Sequence, residues 1–178
     1  MGNFDSGRTS LLEAYKGFPF TNKITPTPGP NFFWGEILVK NGDKIKYILN
    51  DFPGNEAVHS IAFNFVKSSN GAVIVFSVTS KEGFNKAKKW LEEIRNECKI
   101  PVIMIACKCD LEENRVISKE EAEQFANENN IPYFETSSKN NINIKEGIDK
   151  IINDAYEYER KKLNINNLKN KNKKCYIY

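Results

Sequence analysis

The first nine residues combine residue types and a spacing that could bind phosphate. They read Met-Gly-Asn-Phe-Asp-Ser-Gly-Arg-Thr, which fits the phosphate-loop pattern G-x-x-x-x-G-K-[ST] except that Arg8 replaces the lysine. In such a loop, glycines such as Gly2 and Gly7 let backbone N–H groups converge on a phosphate, and the following helix adds its positive end. Thr9 could bind a metal ion, while Arg8 offers a planar fork in place of a compact ammonium. A flexible start that leads into a helix explains the same residues.

The composition indicates one globular domain with a basic end. The chain has 178 residues, of which 40% are hydrophobic, enough for a single core. Residues 160–178 hold seven basic and no acidic residues, which leaves 19 basic and 23 acidic residues in the rest. This distribution argues against a broad nucleic-acid surface on the domain and places any attraction to anionic lipid or nucleic acid in the tail.

The cysteines and the single histidine exclude several classes of site. Cys98, Cys107, Cys109 and Cys175 do not form a disulfide framework, and Cys107 and Cys109 lack the usual spacing of a zinc pair. We therefore expect reduced thiols and a cytosolic protein, without a leader peptide or an apolar run of ~20 residues. His59 is the only histidine, which argues against histidine triads and histidine-rich metal sites.

Hydrophobic periodicity predicts an α/β protein. Helices are expected at residues 6–16, 56–67, 82–98, 118–130 and 144–163. Buried strands are expected at residues 72–76 and 101–106, a short strand at 133–136, and a hairpin at 31–40 and 43–49 around Asn41-Gly42. The alternation of buried strands and helices indicates a largely parallel sheet, with ligands at the carboxyl ends of its strands.

These segments together resemble the Ras superfamily of small GTPases, most closely its Rab branch. The likeness covers residues 2–158 and is clearest in G-A-V-I-V-F-S-V-T (71–79), W-L-E-E-I (90–94), C-K-C-D-L (107–111) and E-T-S-S-K (135–139). The resemblance implies a single-domain P-loop small-GTPase fold at residues 1–163, mostly parallel with one antiparallel hairpin and helices on both faces. Residues 164–178 would be a disordered basic tail.

The resemblance also implies a guanine site. Lys108 and Asp110 stand in the family's N-K-x-D motif, where the aspartate accepts two hydrogen bonds that guanine donates and adenine does not. Cys107 replaces the asparagine of that motif, so affinity should be lower. A surface turn after a buried strand is the alternative. Phe20 would stack on the base, although it could equally be a core residue.

The implied nucleotide-binding residues include the loop that closes over the base and the phosphate loop. The set consists of Gly2, Asp5, Ser6, Gly7, Arg8, Thr9, Ser10, Phe20, Thr27, Gly54, Cys107, Lys108, Asp110, Ser137, Ser138 and Lys139.

By the same resemblance, Thr9, Thr27 and Asp51 would hold Mg²⁺ beside GTP or GDP. Thr27 follows Thr9 by eighteen residues as in the family, but the gap to Asp51 is one residue longer, so Thr25 stays an alternative. Asp51 and Gly54 fit the D-x-x-G motif. A strand that ends in an Asp/Pro/Gly turn also explains them.

Departures from the family concentrate on hydrolysis, for which the catalytic residues would be Asn55 and Arg8. Asn55 replaces the glutamine that positions water and is one methylene shorter. Phe4 would obstruct a partner's arginine finger, and Asp5 would repel a polyphosphate. The prolines around Thr27 should resist a change of order. We therefore expect a switch with slow hydrolysis, with a pseudo-GTPase binding module as the alternative.

Partners and location follow from the resemblance. Residues 22–33 and 51–67 would engage exchange factors, activating proteins and effectors of a monomeric protein. Cys175 resembles the cysteine of a C-a-a-X prenylation box behind a lysine-rich segment, which would place the protein on the cytosolic face of membranes in vesicle traffic. An Asn/Lys-rich tail with a chance cysteine is the alternative. A myristoylation pattern at Gly2 competes with the role of this glycine in the loop.

The chain begins at the loop, whereas in the family a central strand precedes it. Without that strand, its two neighbours would face a gap of roughly 10 Å. We therefore expect that the true N-terminus is absent, that another chain or an upstream domain supplies the strand, or that the phosphate site is incomplete. A fragment without a stable fold is a further alternative.

Overall fold

The computed structural model describes residues 1–3, 5–22, 26–54, 59–162 and 174–177. The helices are α1 (Arg8–Tyr15), α2 (His59–Lys67), α3 (Lys81–Glu97), α4 (Lys119–Glu128) and α5 (Ile144–Lys162). The strands are β1 (Asn31–Leu38), β2 (Lys44–Asp51), β3 (Ala72–Ser77), β4 (Val102–Cys107), β5 (Tyr133–Thr136) and β6 (Lys174–Ile177).

Three parallel strands form one half of the sheet, in the order β3-β4-β5. Every residue of β3 and β4 is buried, as expected where helices cover both faces of a parallel sheet. In register, Ala72 lies opposite Val102 and Met104 lies opposite Tyr133. The two apolar runs in the sequence therefore form the strands that they predicted.

The predicted hairpin forms the other half. β1 and β2 are antiparallel, with Asn31 opposite Asp51 and Leu38 opposite Lys44. The connection spans residues 39–43, where the Val39 N–H donates to the Asp43 carbonyl at 2.9 Å. Gly42 has φ 87°, a conformation that glycine adopts without strain.

Helices on both faces bury two apolar clusters, whereas the composition predicted one core. One cluster lies under α2, α3 and α4 and includes Phe76, Phe84 and Met104. The other lies under α1 and α5 and includes Leu11 and Ile148. The predicted α/β fold class is confirmed, with helices on both faces of a mostly parallel sheet.

The helix ends follow the predicted local signals. The Ser118 side chain accepts a hydrogen bond from the Glu121 N–H at 3.1 Å at the start of α4, as the capping motif predicted. The first residues of the helix predicted at 56–67 lie outside the described residues. None of the helices in the described part of the chain combines the length and apolar character that a bilayer span requires.

The C-terminal end differs from the prediction of a disordered tail. Lys174–Ile177 form β6, which pairs in parallel with β2, and the Ile177 side chain is only 1% exposed. Ile177 also forms a parallel bridge with Gly71, directly before β3. For residues 163–173, which lie outside the described part, disorder stays a prediction.

β6 and the first two residues occupy the space between β2 and β3, which we call the central slot. Gly2 forms a parallel bridge with Val75, and the Val75 N–H donates to the Met1 carbonyl at 2.7 Å. The Met1 amino group donates to the Val73 carbonyl. The sequence did not predict that the C-terminal segment of the chain would pair here.

Candidate functional site

The loop before α1 adopts the tight form that its glycines predicted. Gly7 precedes the helix with φ 92°, and Asp5 also has a positive φ, 59°. A Cβ added to Gly7 would lie 2.9 Å from Cys107 Cβ. The loop is thus held closely against the carboxyl end of β4.

Gly2 lies beneath the loop. A Cβ added there would come within 2.5 Å of Ser6 Oγ and 2.8 Å of the Val75 carbonyl oxygen. The backbone therefore approaches β3 at a distance that only glycine permits without a shift. Gly2 does not line the main cavity described next, so its position supports the loop from below.

The main cavity has a volume of about 600 Å³ and extends from the loop to the end of β4. The predicted residues that line it are Asp5, Ser6, Gly7, Arg8, Thr9, Ser10, Phe20, Thr27, Gly54, Cys107, Lys108, Asp110, Ser138 and Lys139. Of the remaining predicted nucleotide contacts, Ser137 lies directly behind this wall. The sequence motifs thus converge on one cavity.

At the end near β4, polar contacts fix the acidic and basic side chains. The Ser137 hydroxyl donates to Asp110 Oδ1 at 2.6 Å, which holds the carboxylate in place. Lys108, with φ 64°, donates from Nζ to Asp5 Oδ1 at 2.7 Å. Asp5 is therefore paired with a lysine that offsets part of its charge, and its predicted repulsion of a polyphosphate stays a prediction.

Cys107 and Phe20 also belong to this end. Cys107 is buried, and burial raises the pKa of its thiol to about 11, so the thiol is protonated at neutral pH. Thr136 Oγ1 lies 3.4 Å from its sulfur. Phe20 is 42% exposed and lines the cavity, so the alternative that it is a core residue is wrong.

At the opposite end, Thr9 and Thr27 line the cavity. The buried Asp51 contacts Thr9 there but borders a neighbouring cavity instead. Thr9 Oγ1 donates to Asp51 Oδ2 at 2.6 Å and lies 2.9 Å from Thr27 Oγ1. Asp51 is 2% exposed, and its Oδ1 has no hydrogen-bond partner among the described residues. Burial raises the Asp51 pKa, while the Thr9 hydroxyl and the Arg8 charge oppose this rise.

These side chains fit a small divalent cation. Hydroxyl and carboxylate oxygens are the ligands that Mg²⁺ prefers, and the buried Asp51 Oδ1 without a hydrogen bond would gain a partner from a cation. In the described part of the chain, no three His, Cys, Asp or Glu side chains cluster as potential metal ligands. The arrangement of Thr9, Thr27 and Asp51 therefore suits a cation bound jointly with an oxygen-rich ligand.

Arg8 turns toward the protein. Its Nη1 donates to the Gly2 carbonyl, and its Nε lies 3.8 Å from Asp51 Oδ1. The side chain is 14% exposed and also borders a second cavity of about 360 Å³. The guanidinium thus neutralises part of the Asp51 charge and braces the loop from within.

Four further residues named from the sequence are not part of the described cavity wall. Asn55, Phe4 and Thr25 fall outside the described residues. Cys175 lies in β6, where its Cα pairs with that of Tyr47.

Several further residues of the cavity wall were not predicted from the sequence. They are Glu13, Thr21, Asn22, Pro26, Pro28, Asn31 and Leu111. Leu111 ends the C-K-C-D-L segment, and four of the others lie in the predicted partner-binding segment 22–33, but no motif identified them as cavity residues. Their place in the wall depends on how α1 and the segment before β1 pack around the cavity.

Comparisons with known proteins agree with this architecture. The sequence profile of the Ras family matches residues 1–157. The Ras-related protein RabJ of Dictyostelium discoideum is 34% identical over 147 residues, which cover 82% of this chain and 57% of that protein. Mouse Ras-related protein Rab-39A is 34% identical over 168 residues, which cover 90% and 77% of the two chains. Bovine Ras-related protein Rab-3C is 30% identical, with 85% and 67% covered.

This chain thus spans little more than half the length of the RabJ relative. The family profile covers most of the chain. The phosphate loop and the C-K-C-D-L segment of the chain line one cavity. The chain therefore belongs to the Ras superfamily of small GTPases, as a Rab-like member.

Proposed function

We propose that this protein is a guanine-nucleotide-binding molecular switch that hydrolyses GTP slowly. The observation that carries the proposal is the single cavity of about 600 Å³ that joins the phosphate loop to Asp110. Its volume and its two chemically different ends suit a ligand with a base at one end and phosphates at the other.

Asp110 would recognise the base. Its carboxylate is oriented by the Ser137 hydroxyl, and a carboxylate can accept the two hydrogen bonds that guanine offers at its N1–H and amino groups. Adenine lacks this pair of donors, so the site would reject adenine nucleotides. Ser138 and Lys139 close the wall beside it.

The loop would bind the phosphates. Backbone N–H groups around Gly7 and the N-terminus of α1 supply positive potential, and Arg8 adds its charge. Thr9, Thr27 and Asp51 would hold Mg²⁺, which neutralises phosphate charge when it is bound. These residues already contact one another in the structure.

Hydrolysis would be slow because of Asn55. Its amide is one methylene shorter than the glutamine of the family motif, so it does not reach a water molecule from the same backbone position. Asp5 adds less to this effect than the sequence suggested, since Lys108 offsets part of its charge. Arg8, held by Gly2 and Asp51, would need to move to stabilise charge on the transferring phosphate.

Two internal contacts favour a second candidate, a pseudo-GTPase that binds partners without a nucleotide cycle. Arg8 contacts Gly2 and Asp51, and Lys108 contacts Asp5. Two of the three cations expected to serve the ligand, Arg8 and Lys108 but not Lys139, are thus engaged by contacts within the chain that the structure describes. A nucleotide would have to replace these contacts, which lowers its affinity.

For partner binding we propose residues 22–33 and 51–67, together with the exposed face of β1. Phe32, Trp34 and Leu38 lie on one face of this strand, with Glu36 between the last two, and are 45%, 68% and 69% exposed. A row of apolar side chains at the sheet edge suits exchange factors, activating proteins and effectors. Membrane attachment through a prenylated Cys175, with a role in vesicle traffic, remains part of this proposal.

Titration with fluorescent GDP and fluorescent ADP, with and without Mg²⁺, tests the proposal. We expect Mg²⁺-dependent binding that strongly prefers GDP. Asp110→Ala should reduce this preference at least about a hundredfold, because the two base-specific hydrogen bonds are lost.

Asp154→Asn is the matched control, because Asp154 pairs with Lys150 on α5 away from the cavity. This control should bind like the unchanged chain. If the unchanged, cooperatively folded chain binds neither nucleotide, the switch proposal fails and the pseudo-GTPase becomes the better explanation.

A further inference from the structure

The central slot is filled by two separate pieces of the same chain. β6 lies in the same direction as β2, with Lys46 opposite Lys174 and Leu49 opposite Ile177. At the other edge, Ile177 bridges to Gly71, also in parallel. β6 therefore satisfies backbone groups of β2 that would otherwise form an open edge.

The first two residues complete the slot on the side of β3. Met1 and Gly2 pair with β3 at Val73 and Val75. They follow the position of Ile177 in the same direction, so that the two pieces together resemble one interrupted strand. Each edge of the slot is hydrogen-bonded in the described structure.

Packing around Ile177 shows that the slot accepts a specific side chain. Ile177 is 1% exposed and belongs to the same cluster as Leu11, Leu49, Val73 and Ile148. A cavity of only about 30 Å³ lies at the junction of the two pieces. Helix α5 packs against β6 from the same side. The slot is thus closed with little unfilled volume.

The chain is long enough to place β6 there. Residues 163–173 join α5 to β6, and eleven residues can span up to about 36 Å. This reach exceeds the roughly 28 Å length of the whole α5 helix. Eleven residues are therefore long enough to connect the two elements.

We propose that, in a chain whose first residue is Met1, the central slot is a strand-binding site whose occupant is the chain's own C-terminal segment, and that occupancy supports nucleotide binding. The second part rests on the proposed function. We expect this effect because the slot adjoins both ends of the phosphate site. Met1 and Gly2 in the slot lead directly into the loop, and Leu49, which pairs with β6, lies two residues before Asp51. Loss of β6 would loosen both segments that hold the phosphates and the cation.

When the tail occupies the slot, it is not available for membrane attachment. A lipid on Cys175 inserted in a bilayer and β6 paired with β2 are two different uses of the same residues. Withdrawal of the tail by a membrane would therefore weaken nucleotide binding. Cys175→Ser, which retains the backbone pairing, should leave nucleotide affinity and β2 protection unchanged.

Hydrogen exchange tests the strand site without any nucleotide. In the full chain, amides of β2 should be protected, and Ile177→Val should retain this protection because the side chain stays apolar. Ile177→Asp should reduce protection at β2 at least about tenfold, since a carboxylate would be buried in an apolar cluster. Protection in β4 should persist. Equal protection of β2 in all three chains would overturn the proposal.

Ile177→Ala covers the case in which Ile177→Asp does not fold. Removal of a well-packed buried side chain should lower the melting temperature by several degrees. An unchanged melting temperature would show that Ile177 is not packed in the sheet, and the proposal would fail.

The link to nucleotide is tested with GDP titration of the same variants. Ile177→Asp, or Ile177→Ala if the first does not fold, should bind GDP more weakly than Ile177→Val, by about tenfold for the aspartate. Unchanged affinity together with lost β2 protection would overturn the link. If the full chain itself binds no nucleotide, the proposed function fails, while exchange and melting still decide whether the strand site exists.

Discussion

Arg8 shows how one residue changes the balance of a phosphate loop. A lysine at this position would extend a compact ammonium toward the phosphates. The guanidinium instead contacts the Gly2 carbonyl and approaches Asp51. Its hydrogen-bonding fork is therefore used to hold the loop and the acidic residue together. The cost of this arrangement falls on ligand binding, because part of the charge is already compensated.

Arg8→Lys should tighten GDP binding by about tenfold, equivalent to about 1.4 kcal/mol. The shorter ammonium would release the Gly2 carbonyl and approach the phosphates. The measurement is fluorescent GDP titration in Mg²⁺. Arg160→Lys on α5 is a matched control, since it makes the same exchange in a side chain that pairs with Glu157 far from the loop. Equal or weaker binding by Arg8→Lys would contradict this explanation.

Asn55→Gln should accelerate hydrolysis. The added methylene restores the reach of the amide toward an attacking water, and we expect at least about a tenfold faster single-turnover rate. The measurement is phosphate release from GTP preloaded on the protein. Asn85→Gln, an equivalent change at an exposed position of α3, should leave the rate unchanged. An unaltered rate in Asn55→Gln would place the defect elsewhere, for example at Arg8.

At the scale of elements, the segment before β1 is held in place without a ligand. Thr27 Oγ1 lies 2.9 Å from Thr9 Oγ1, and Pro26, Pro28 and Pro30 fix three backbone φ angles nearby. A switch segment usually becomes ordered through contacts with the γ-phosphate and its cation. Here the prolines reduce the number of conformations available before binding, so less order remains to be gained.

Replacement of GDP by a non-hydrolysable GTP analogue should therefore change hydrogen exchange little in residues 26–33. In the double variant Pro26→Ala/Pro28→Ala, the same replacement should produce a clear gain in protection. The reason is that alanine increases the freedom of the unliganded segment. A large change already present in the unchanged chain would show that the prolines do not limit the switch.

The elements also show which parts of the structure the sequence could predict. The apolar runs of β3 and β4 are long enough to identify buried strands, and the Ser118 cap identifies the start of α4 from local chemistry alone. β6 escaped prediction because four residues, Lys174–Ile177, follow an Asn/Lys-rich segment whose composition indicates disorder. Their β-forming residues, such as Tyr176 and Ile177, were the only local signal. They form a strand because two distant strands leave a slot.

The candidate site likewise contains residues that the sequence could predict and contacts that it could not. Motif residues such as Gly7 and Asp110 were predictable, because phosphate and base recognition require particular residue types at fixed spacings. The ion pair between Asp5 and Lys108 was not, since 103 positions separate the two residues. Their contact depends on the packing of the loop against the end of β4.

At the scale of the whole molecule, the central slot joins the two halves of the sheet. It also affects how the free energy of unfolding depends on pH. The amino group of Met1 is buried there beside the Val73 carbonyl. Burial, with the Arg8 charge as a second cause, lowers the pKa of this amine from 8.0 to about 4. A chain whose first residue is Met1 therefore carries a neutral amine at pH 7 when it is folded, whereas the amine of its unfolded form is largely protonated.

The free energy of unfolding should consequently rise with pH between about 4 and 8, because the unfolded state binds more protons there. The stabilisation is complete above the unfolded pKa and is lost as the pH falls toward 4, with a slope of at most about 1.4 kcal/mol per pH unit. Urea unfolding at pH 5, 6, 7 and 8 measures it. The raised pKa of Asp51 makes its own contribution to the free energy of unfolding fall as the pH rises. Asp51→Asn removes this contribution, so the pH dependence of the variant reports the Met1 amine. If that variant shows no increase in the free energy of unfolding from pH 5 to pH 8, the amino group of Met1 is not buried in the slot.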